Sequence, residues 1–321
     1  MTFDHQLRAL RSGPVPKANS LMVTVFGDTV APRGVPIWLG SLINLVAPLG
    51  LNERLVRTAV NRLAKDDWLG RRTVGRRAFY GLSAAGQARF ESATERIYAP
   101  DRVAWNGRWC LVVTAAADLA PARREALKKD LAWQGFGAIA PGVFAHPMPE
   151  LDSLAQVLAD YGLTDRATIF DAQAPGDSLR HLVGQSWNLS DLEKSYTTLV
   201  ERFAPLHRAL GATGAMGAIA PEHAFVTRSL LIHEYRRAIL RDPLLPDALL
   251  PKDWPGTAAR ALCRALYRRI WQAAETYVET ILETVDGSLP AVSPNFYRRF
   301  GGLVPRVDNN IVLGHDEKYT L

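Results

Sequence analysis

Residues 50–82, GLNERLVRTAVNRLAKDDWLGRRTVGRRAFYGL, constrain the fold of this chain more than any other stretch. Gly50 and Asn52 stop one helix and start another, because an Asn side chain accepts an otherwise unpaired backbone N–H at a helix start. From Glu53 to Lys65 the residues sort onto two faces. Leu55, Val56, Ala59, Val60 and Leu63 recur at helical spacing as an apolar stripe. Arg54, Arg57, Thr58, Asn61 and Arg62 fall on the other side, free to meet a partner. After them, WLGRRTVGRRAFYGL reads as two short extended runs around Gly75. Ala78, Tyr80 and Leu82 alternate with Arg77, Phe79 and Gly81, the period of a half-buried strand, while Arg71, Arg72, Arg76 and Arg77 bracket the tip.

Those residue types suit contact with a nucleic acid. Arg forks onto guanine O6 and N7, Asn pairs with adenine, and Thr touches a thymine methyl or a phosphate. A polar-faced helix followed by a basic hairpin is what a winged helix-turn-helix requires: helix in the major groove, hairpin on the flanking backbone or minor groove. The competing reading is a solvated helix beside an ordinary basic hairpin. Charge partition favours the first. Residues 1–99 hold 14 Lys/Arg against 7 Asp/Glu, whereas residues 100–321 hold 24 against 25. The whole positive excess therefore sits on the segment that reads as the DNA-contacting one.

A chain of 321 residues with 48% apolar content can build two or three domains. Cys110 and Cys263 lie far apart among apolar and basic neighbours and read as reduced core thiols. No charged-then-apolar leader opens the chain, and no apolar run reaches the roughly 18–20 residues that span a bilayer. A cytoplasmic protein without membrane contact is expected.

In chain order, residues 1–19 carry Gly13, Pro14 and Pro16 with little periodicity and predict a loose arm. Residues 20–27 predict a first helix, with a strand as the alternative. Residues 37–47 predict a second, with Ile37, Trp38, Leu42, Ile43 and Val46 on one face. Ser83 caps a connector helix from Ala84 to about Tyr98, with Phe90, Ala93 and Ile97 inward, ending at Pro100-Asp101. Residues 105–180 predict a β-α-β-α-β order, with strands at 109–116, 137–147 and 167–173, which fits a ferredoxin-like layer. Residues 184–286 are helical. Ser190 and Glu193 open a helix to about Leu210, and Pro221 opens another that ends at Asp242-Pro243. A long helix covers about 257–285, with Leu262, Leu266, Ile270, Ala273, Tyr277, Ile281 and Val285 as its stripe. Residues 288–321 have no period and predict an extended arm.

The same residues carry a family likeness. LMVTVFGDTVAPRG, WLGSLINLVAPLGLNERLVRTAVNRLAKDDWL and GRRAFYGLSAAG resemble the N-terminal domain of PaaX-type repressors, which control phenylacetate-degradation operons. The likeness continues at WNGRWCLVV (105–113), PGVFAHP (141–147) and LLIHEYRRAILRDPLLPDALLP (230–251), and is most specific over 20–82. One departure is Asp66-Asp67 before Trp68, where the family pattern leads one to expect a glycine. The resemblance implies a Cas2-like fold for the central portion. Cas2 proteins place a metal-binding Asp at the end of the first strand, and Asp118 lies near that place. Three residues before Pro121, it reads first as a helix-start cap, and no nuclease activity is expected. The resemblance also implies an effector, phenylacetyl-CoA or a related aryl-CoA.

Nothing in the sequence asks for a metal, a cofactor or a catalytic nucleophile. His233-Glu234 lacks the second His of a zinc protease, and there is no Walker loop, GxGxxG or zinc-spaced Cys/His cluster. His233, Tyr235, Arg236, Arg237 and Arg241 crowd one short helix, and Arg268, Arg269 and Trp271 form a second group. One reading is two ordinary amphipathic helices. The other is an effector pocket, since an aryl-CoA is anionic at its nucleotide end and apolar at its acyl end.

The expected fold class is α+β multidomain: a winged helix-turn-helix with its connector at 1–99, a ferredoxin-like (Cas2-like) α+β domain at 100–183, and a helical effector and dimerisation domain with an extended tail at 184–321. The expected function is a homodimeric repressor of an aromatic-acid catabolic operon, released from double-stranded operator DNA by the aryl-CoA. Two alternatives stay open: a CoA-thioester or nucleic-acid-processing enzyme carrying a DNA-binding head, and a constitutive architectural DNA-binding protein.

Overall fold

The computed structural model describes residues 2–99, 104–114, 119–174, 178–212 and 219–304. Pro100-Asp101, Asp118 and the end of the tail, 305–321, lie outside the described residues.

The first part of the N-terminal arm is a helix rather than a loose segment, whereas residues 12–17 are irregular as expected. α1 (Phe3–Arg11) opens on Thr2, whose hydroxyl accepts from His5 N, and buries Phe3, Leu7 and Leu10. Those three residues already sit at helical spacing, and the glycine and prolines that suggested a loose arm come only after Arg11. α1 packs against α9 (Ser190–Ala212), far away in sequence. α2 (Ala18–Val25) runs on into a π-helical turn at Phe26–Val30 and a 3-10 turn at Ala31–Arg33.

Ile37 and Trp38 do not begin the next helix. They form strand β1 (Ile37–Trp38), paired with Tyr80 and Phe79, and α3 (Leu39–Val46) starts after them. A β-branched and an aromatic residue beside an available strand edge gain more from pairing than from a helical turn. α4 (Glu53–Lys65) has the expected bounds. β2 (Leu69–Val74) and β3 (Arg77–Leu82) form the hairpin, with Gly75 at φ +58° as the first of its two turn residues, a position that favours glycine. The sheet order is β1-β3-β2. Phe79 does not face solvent as the alternation suggested. Phe79, Tyr80 and Gly81 are all buried, and a Cβ on Gly81 would sit 3.2 Å from Pro36, so both faces of this central strand are covered. α5 (Ala84–Ile97) opens on Ser83 and leads out of this N-terminal unit.

The central layer comprises β4 (Arg108–Thr114), α6 (Pro121–Trp133), β5 (Gly137–Ala140), β6 (Val143–His146), α7 (Leu151–Asp160) and β7 (Ala167–Gln173). The stretch expected as a single strand is a hairpin that turns at Pro141-Gly142, where Gly142 holds φ +73°. The order is therefore β-α-β-β-α-β, with antiparallel strands arranged β5-β6-β4-β7, the ferredoxin-like arrangement. Leu127, Leu131, Leu154 and Leu158 from the two helices pack with Val112 and Phe144 in a core of their own.

A short helix, α8 (Ser178–Ser186), precedes α9, and α10 (Pro221–Ile239) and α11 (Pro255–Ile281) follow. α10 is buried nearly all round from Ala224 to His233, which is why it has no clear polar face. α11 ends at Ile281, short of the expected 285. Its buried stripe is Ala259, Cys263, Leu266, Tyr267, Ile270, Ala274 and Val278, and the expected Leu262, Ala273, Tyr277 and Ile281 lie on its half-buried flank. Residues 282–304 do not trail away as an arm. They run back over the N-terminal unit through the short helix α12 (Pro294–Tyr297). Apolar residues of the N-terminal unit and the C-terminal helices belong to one continuous core. Among the described residues no helix is long and apolar enough to cross a membrane, and Cys110 and Cys263 are free thiols.

Candidate nucleic-acid interface

α4 is 13 residues long, about 20 Å at 1.5 Å per residue. Asn52 Oδ1 accepts from Leu55 N at 3.0 Å, while Glu53 in the first turn and Arg62 and Lys65 in the last oppose the ends of the helix dipole. Val56, Ala59, Val60 and Leu63 are buried, the larger ones contributing about 1.5–3 kcal/mol each. Leu55, assigned to the same stripe, lies at its rim and is 42% exposed. At the other end Asp67 N donates to Ala64 O and Trp68 N to Leu63 O, with Asp67 at φ +54°. This C-terminal arrangement favours glycine, and Asp is one of the few other residues that tolerates it. The departure from the family pattern noted at Asp66-Asp67 is therefore accommodated without changing the turn.

The other face points outward. Arg54, Arg57, Thr58, Asn61 and Arg62 are exposed, as are Arg71, Arg72, Arg76 and Arg77 on the hairpin. The Tyr80 hydroxyl donates to Asn61 Oδ1 at 3.5 Å, so this face and the hairpin adjoin. Arg57 pairs with Glu53 at 2.8 Å, Arg62 with Asp66 at 3.8 Å, and the Thr58 hydroxyl donates to Arg54 O. Such exposed pairs are weak, about 0–1 kcal/mol, and a phosphate displaces them readily. Arg77 is held differently. It pairs with Glu283 at 2.9 Å and lies over the Trp38 ring at 4.3 Å. Among the described residues Arg54, Arg71, Arg72 and Arg76 have no ion-pair partner. A row of unpaired or loosely paired guanidiniums on a 20 Å helix and its neighbouring hairpin can take up phosphates and reach base edges.

The second group of candidate residues does not converge on one place. His233 is buried and its Nδ1 lies 3.1 Å from Thr24 Oγ1. Burial, with Arg236, Arg237 and Arg202 nearby, pushes its pKa down to about 3. Arg236 donates to Thr24 Oγ1, Ser20 O and Ser20 Oγ, and burial lowers its pKa to about 10. Arg237 is exposed, and Arg241 donates to Arg237 O and Ser195 Oγ. Arg268 donates to Phe300 O, Arg269 to Leu210 O, and Trp271 packs edge-on against Phe296 and Tyr297. Of these eight, Tyr235 alone lines a cavity of about 570 Å³ where α5, the central layer, α10 and α11 meet. Arg96, Gln134, His146 and Arg260 also line it. Arg96 Nε, Gln134 Oε1 and Arg260 Nε are buried there without hydrogen-bond partners among the described residues. Burial lowers the Arg96 pKa and takes that of His146 down to about 4.

A charged cluster that the sequence reading passed over joins the N-terminal unit to the C-terminal helices. The π-helical turn presents Asp28, whose carboxylate meets Arg228 at 2.9 Å and Arg299 at 3.0 Å and accepts from the Tyr98 and Tyr267 hydroxyls at 2.6 and 3.0 Å. Arg228 also donates to Glu275 at 2.6 Å, and Arg33 pairs with Glu275 from the other side. Burial opposes the charge of Arg228 most strongly, yet Asp28 and Glu275 outweigh it and raise its pKa. The signal was present as single charges within apolar runs, Asp28 in VTVFGDTV and Arg228 in FVTRSLL, since an ion buried in such a run requires a partner.

Comparison with known proteins supplies the remaining observation. Family models described as "PaaX-like protein", "PaaX protein central Cas2-like domain" and "PaaX-like protein C-terminal domain" match residues 17–86, 102–183 and 187–280. The chain is 40% identical over 299 residues to the transcriptional repressor PaaX of Escherichia coli strain K12, covering 92% of this chain and 93% of that one. A solved structure of an uncharacterized protein from Mycobacterium tuberculosis matches with a TM-score of 0.54 at 25% identity, covering 82% of this chain and 99% of that one.

Proposed function

Since this chain belongs to the PaaX family of transcriptional repressors, we propose that it represses an aromatic-acid catabolic operon and is released from its operator by an aryl-CoA thioester such as phenylacetyl-CoA. The curated relative is a regulator, and this chain is a regulator and not an enzyme. The reading of a CoA-thioester or nucleic-acid-processing enzyme is set aside.

The observation that carries the proposal is the exposed Arg, Asn and Thr face of α4 beside the arginine-tipped hairpin of a β1-β3-β2 sheet. Read as a winged helix-turn-helix, α4 enters the major groove, about 12 Å wide, and the hairpin lies on the flanking backbone. Paired heads on a pseudo-palindromic site call for a homodimer, with half-sites about 34–36 Å apart or a multiple of that. The central layer supports one. Its edge strand β7 leaves Ile169 and Phe170 exposed, and Val113 on the neighbouring β4 is exposed too. A second copy covering that edge satisfies both the apolar surface and the unpaired strand.

The cavity between α5, the central layer and α10 fits the effector better than the scattered arginines of α10 and α11. Arg96 and Arg260 offer charge to an anionic group, Tyr235 and Ile239 offer apolar surface, and the three orphaned polar atoms call for partners. A cytoplasmic regulator is the natural setting. The test is binding of the purified protein to the promoter region of adjacent aromatic-acid catabolic genes, with and without phenylacetyl-CoA. Tight, sequence-selective binding that weakens with the thioester is expected, by about 5- to 150-fold for an ordinary coupling of 1–3 kcal/mol. Binding indifferent to the acyl-CoA leaves an architectural DNA-binding protein as the better reading.

A further inference from the structure

Residues 282–303 leave the end of α11 and run back across the N-terminal unit, holding it at three places. At the first, Trp38 N donates to Glu283 O at 2.8 Å, Glu283 N donates to Ser41 Oγ at 3.1 Å, and Thr284 bridges Ile37 in antiparallel fashion. The segment thus adds one backbone hydrogen bond and one antiparallel bridge to the β1 edge of the hairpin sheet. Glu283 also takes the guanidinium of Arg77, which stands on that sheet over Trp38. At the second place, Ser293 N donates to Pro32 O at 2.8 Å, and Arg33 Nη1 donates to Pro290 O. At the third, Phe300 N donates to Tyr98 O at 2.8 Å. There Arg299 is buried between the Tyr98 and Phe296 rings and bonds both the carboxylate and the carbonyl of Asp28. Arg268 on α11 ties the far end back by donating to Phe300 O at 2.6 Å.

We infer that residues 282–303 are a strap that locks the hairpin sheet to α11, so that a displacement of the C-terminal helices turns the DNA-reading face with it. The strap grips the sheet by backbone pairing, which is directional, whereas the apolar contact of helix on helix permits sliding. Its Glu283 carboxylate also competes with a DNA phosphate for Arg77. The strap is both the mechanical link and a local brake on DNA binding. The part of this that concerns effector release rests on the repressor reading above, whereas the locking of the sheet does not.

The test uses the full chain with Glu283→Ala, Ser41→Ala and the two combined. Glu283 and Arg77 are half exposed, and Ser41→Ala removes a single hydroxyl, so circular dichroism and Tm report whether each variant is folded. Ser41→Ala stands in wherever Glu283→Ala is not. Amide hydrogen exchange at 37–38 and 77–82 is expected to quicken by about tenfold or more in the double variant, while 255–281 keeps its protection. Operator affinity without effector is expected to tighten by about threefold in Glu283→Ala, which frees Arg77, an unchanged affinity there overturning the brake, and the ratio of affinities without and with phenylacetyl-CoA to fall toward one. Wild-type exchange at the sheet in all folded variants overturns the strap, and so does an unchanged affinity ratio. A wild-type protein that ignores phenylacetyl-CoA overturns the effector reading instead, and the exchange measurement alone then decides the strap.

Discussion

Two sets of arginines divide the N-terminal unit and its junction. Arg54, Arg57, Arg62, Arg71, Arg72 and Arg76 stand in water on α4 and the hairpin. Arg33, Arg228 and Arg299 are buried at the junction with the C-terminal helices, against Asp28 and Glu275. The side chain is the same, and the surroundings reverse its use. An exposed guanidinium keeps its hydration, contributes little to stability and is available to a phosphate. A buried one has lost its water and persists only because a carboxylate faces it, so it specifies how two parts of the chain dock.

The comparison breaks first at the buried set. Arg228→Met leaves Asp28 with one cation, Arg299, beside its two tyrosine hydroxyls, and Glu275 with Arg33, and is expected to cost about 3–5 kcal/mol, the usual loss when one partner of a buried pair is removed. A urea or thermal unfolding series measures it, and a change under about 1 kcal/mol would mean that water reaches the junction.

A second contrast is with pH. His146 and His233 are held neutral by burial, with pKa values near 4 and 3, below the ordinary 6.5. The unfolded chain binds their protons first as pH falls, so stability is full above about 6.5 and declines from there toward pH 4 and 3. Between pH 7.5 and 5.5 the loss is about 1.4 kcal/mol per histidine. A matched pair of unfolding curves checks it, and His233→Gln is expected to flatten about half of that slope.

The exposed set sharpens the comparison from the other side. Arg57→Ala and Asn61→Ala are expected to leave Tm nearly unchanged yet reduce discrimination between operator and altered sites by about 1–3 kcal/mol. Arg72→Ala and Arg76→Ala should weaken binding to all sequences about equally and lower the slope of log affinity against log salt by about 0.9 each. Competition gel shifts at several salt concentrations separate the two classes. A loss of stability in either class would place these side chains with the buried set.

What could be read without the fold was local. Asn52, the stripe from Val56 to Leu63 and the arginines opposite it defined α4 to its ends, because a cap and a 3.6-residue period are properties of a few consecutive residues. Gly75 marked the hairpin for the same reason. Some misses were local, since α1 and the turn at Pro141-Gly142 had their own signals in the chain, and the others were long-range. Ile37 and Trp38 joined a strand because β3 lay beside them, and residues 282–303 became a strap over the N-terminal unit. The cavity lined by Arg96, Gln134 and Arg260 draws on α5, the central layer and α11, which no spacing in the chain connects.

By itself, then, the amino-acid order determined α4, its basic hairpin, the family and most of the long helices, since caps, turns and periodicity act over a handful of neighbours. Only the tertiary structure decided which arginines face water and which lock the junction, and that residues 283–284 meet the edge of the hairpin sheet. Burial and the pairing of distant charges depend on what the folded chain brings within about 3 Å, not on what stands next in the sequence.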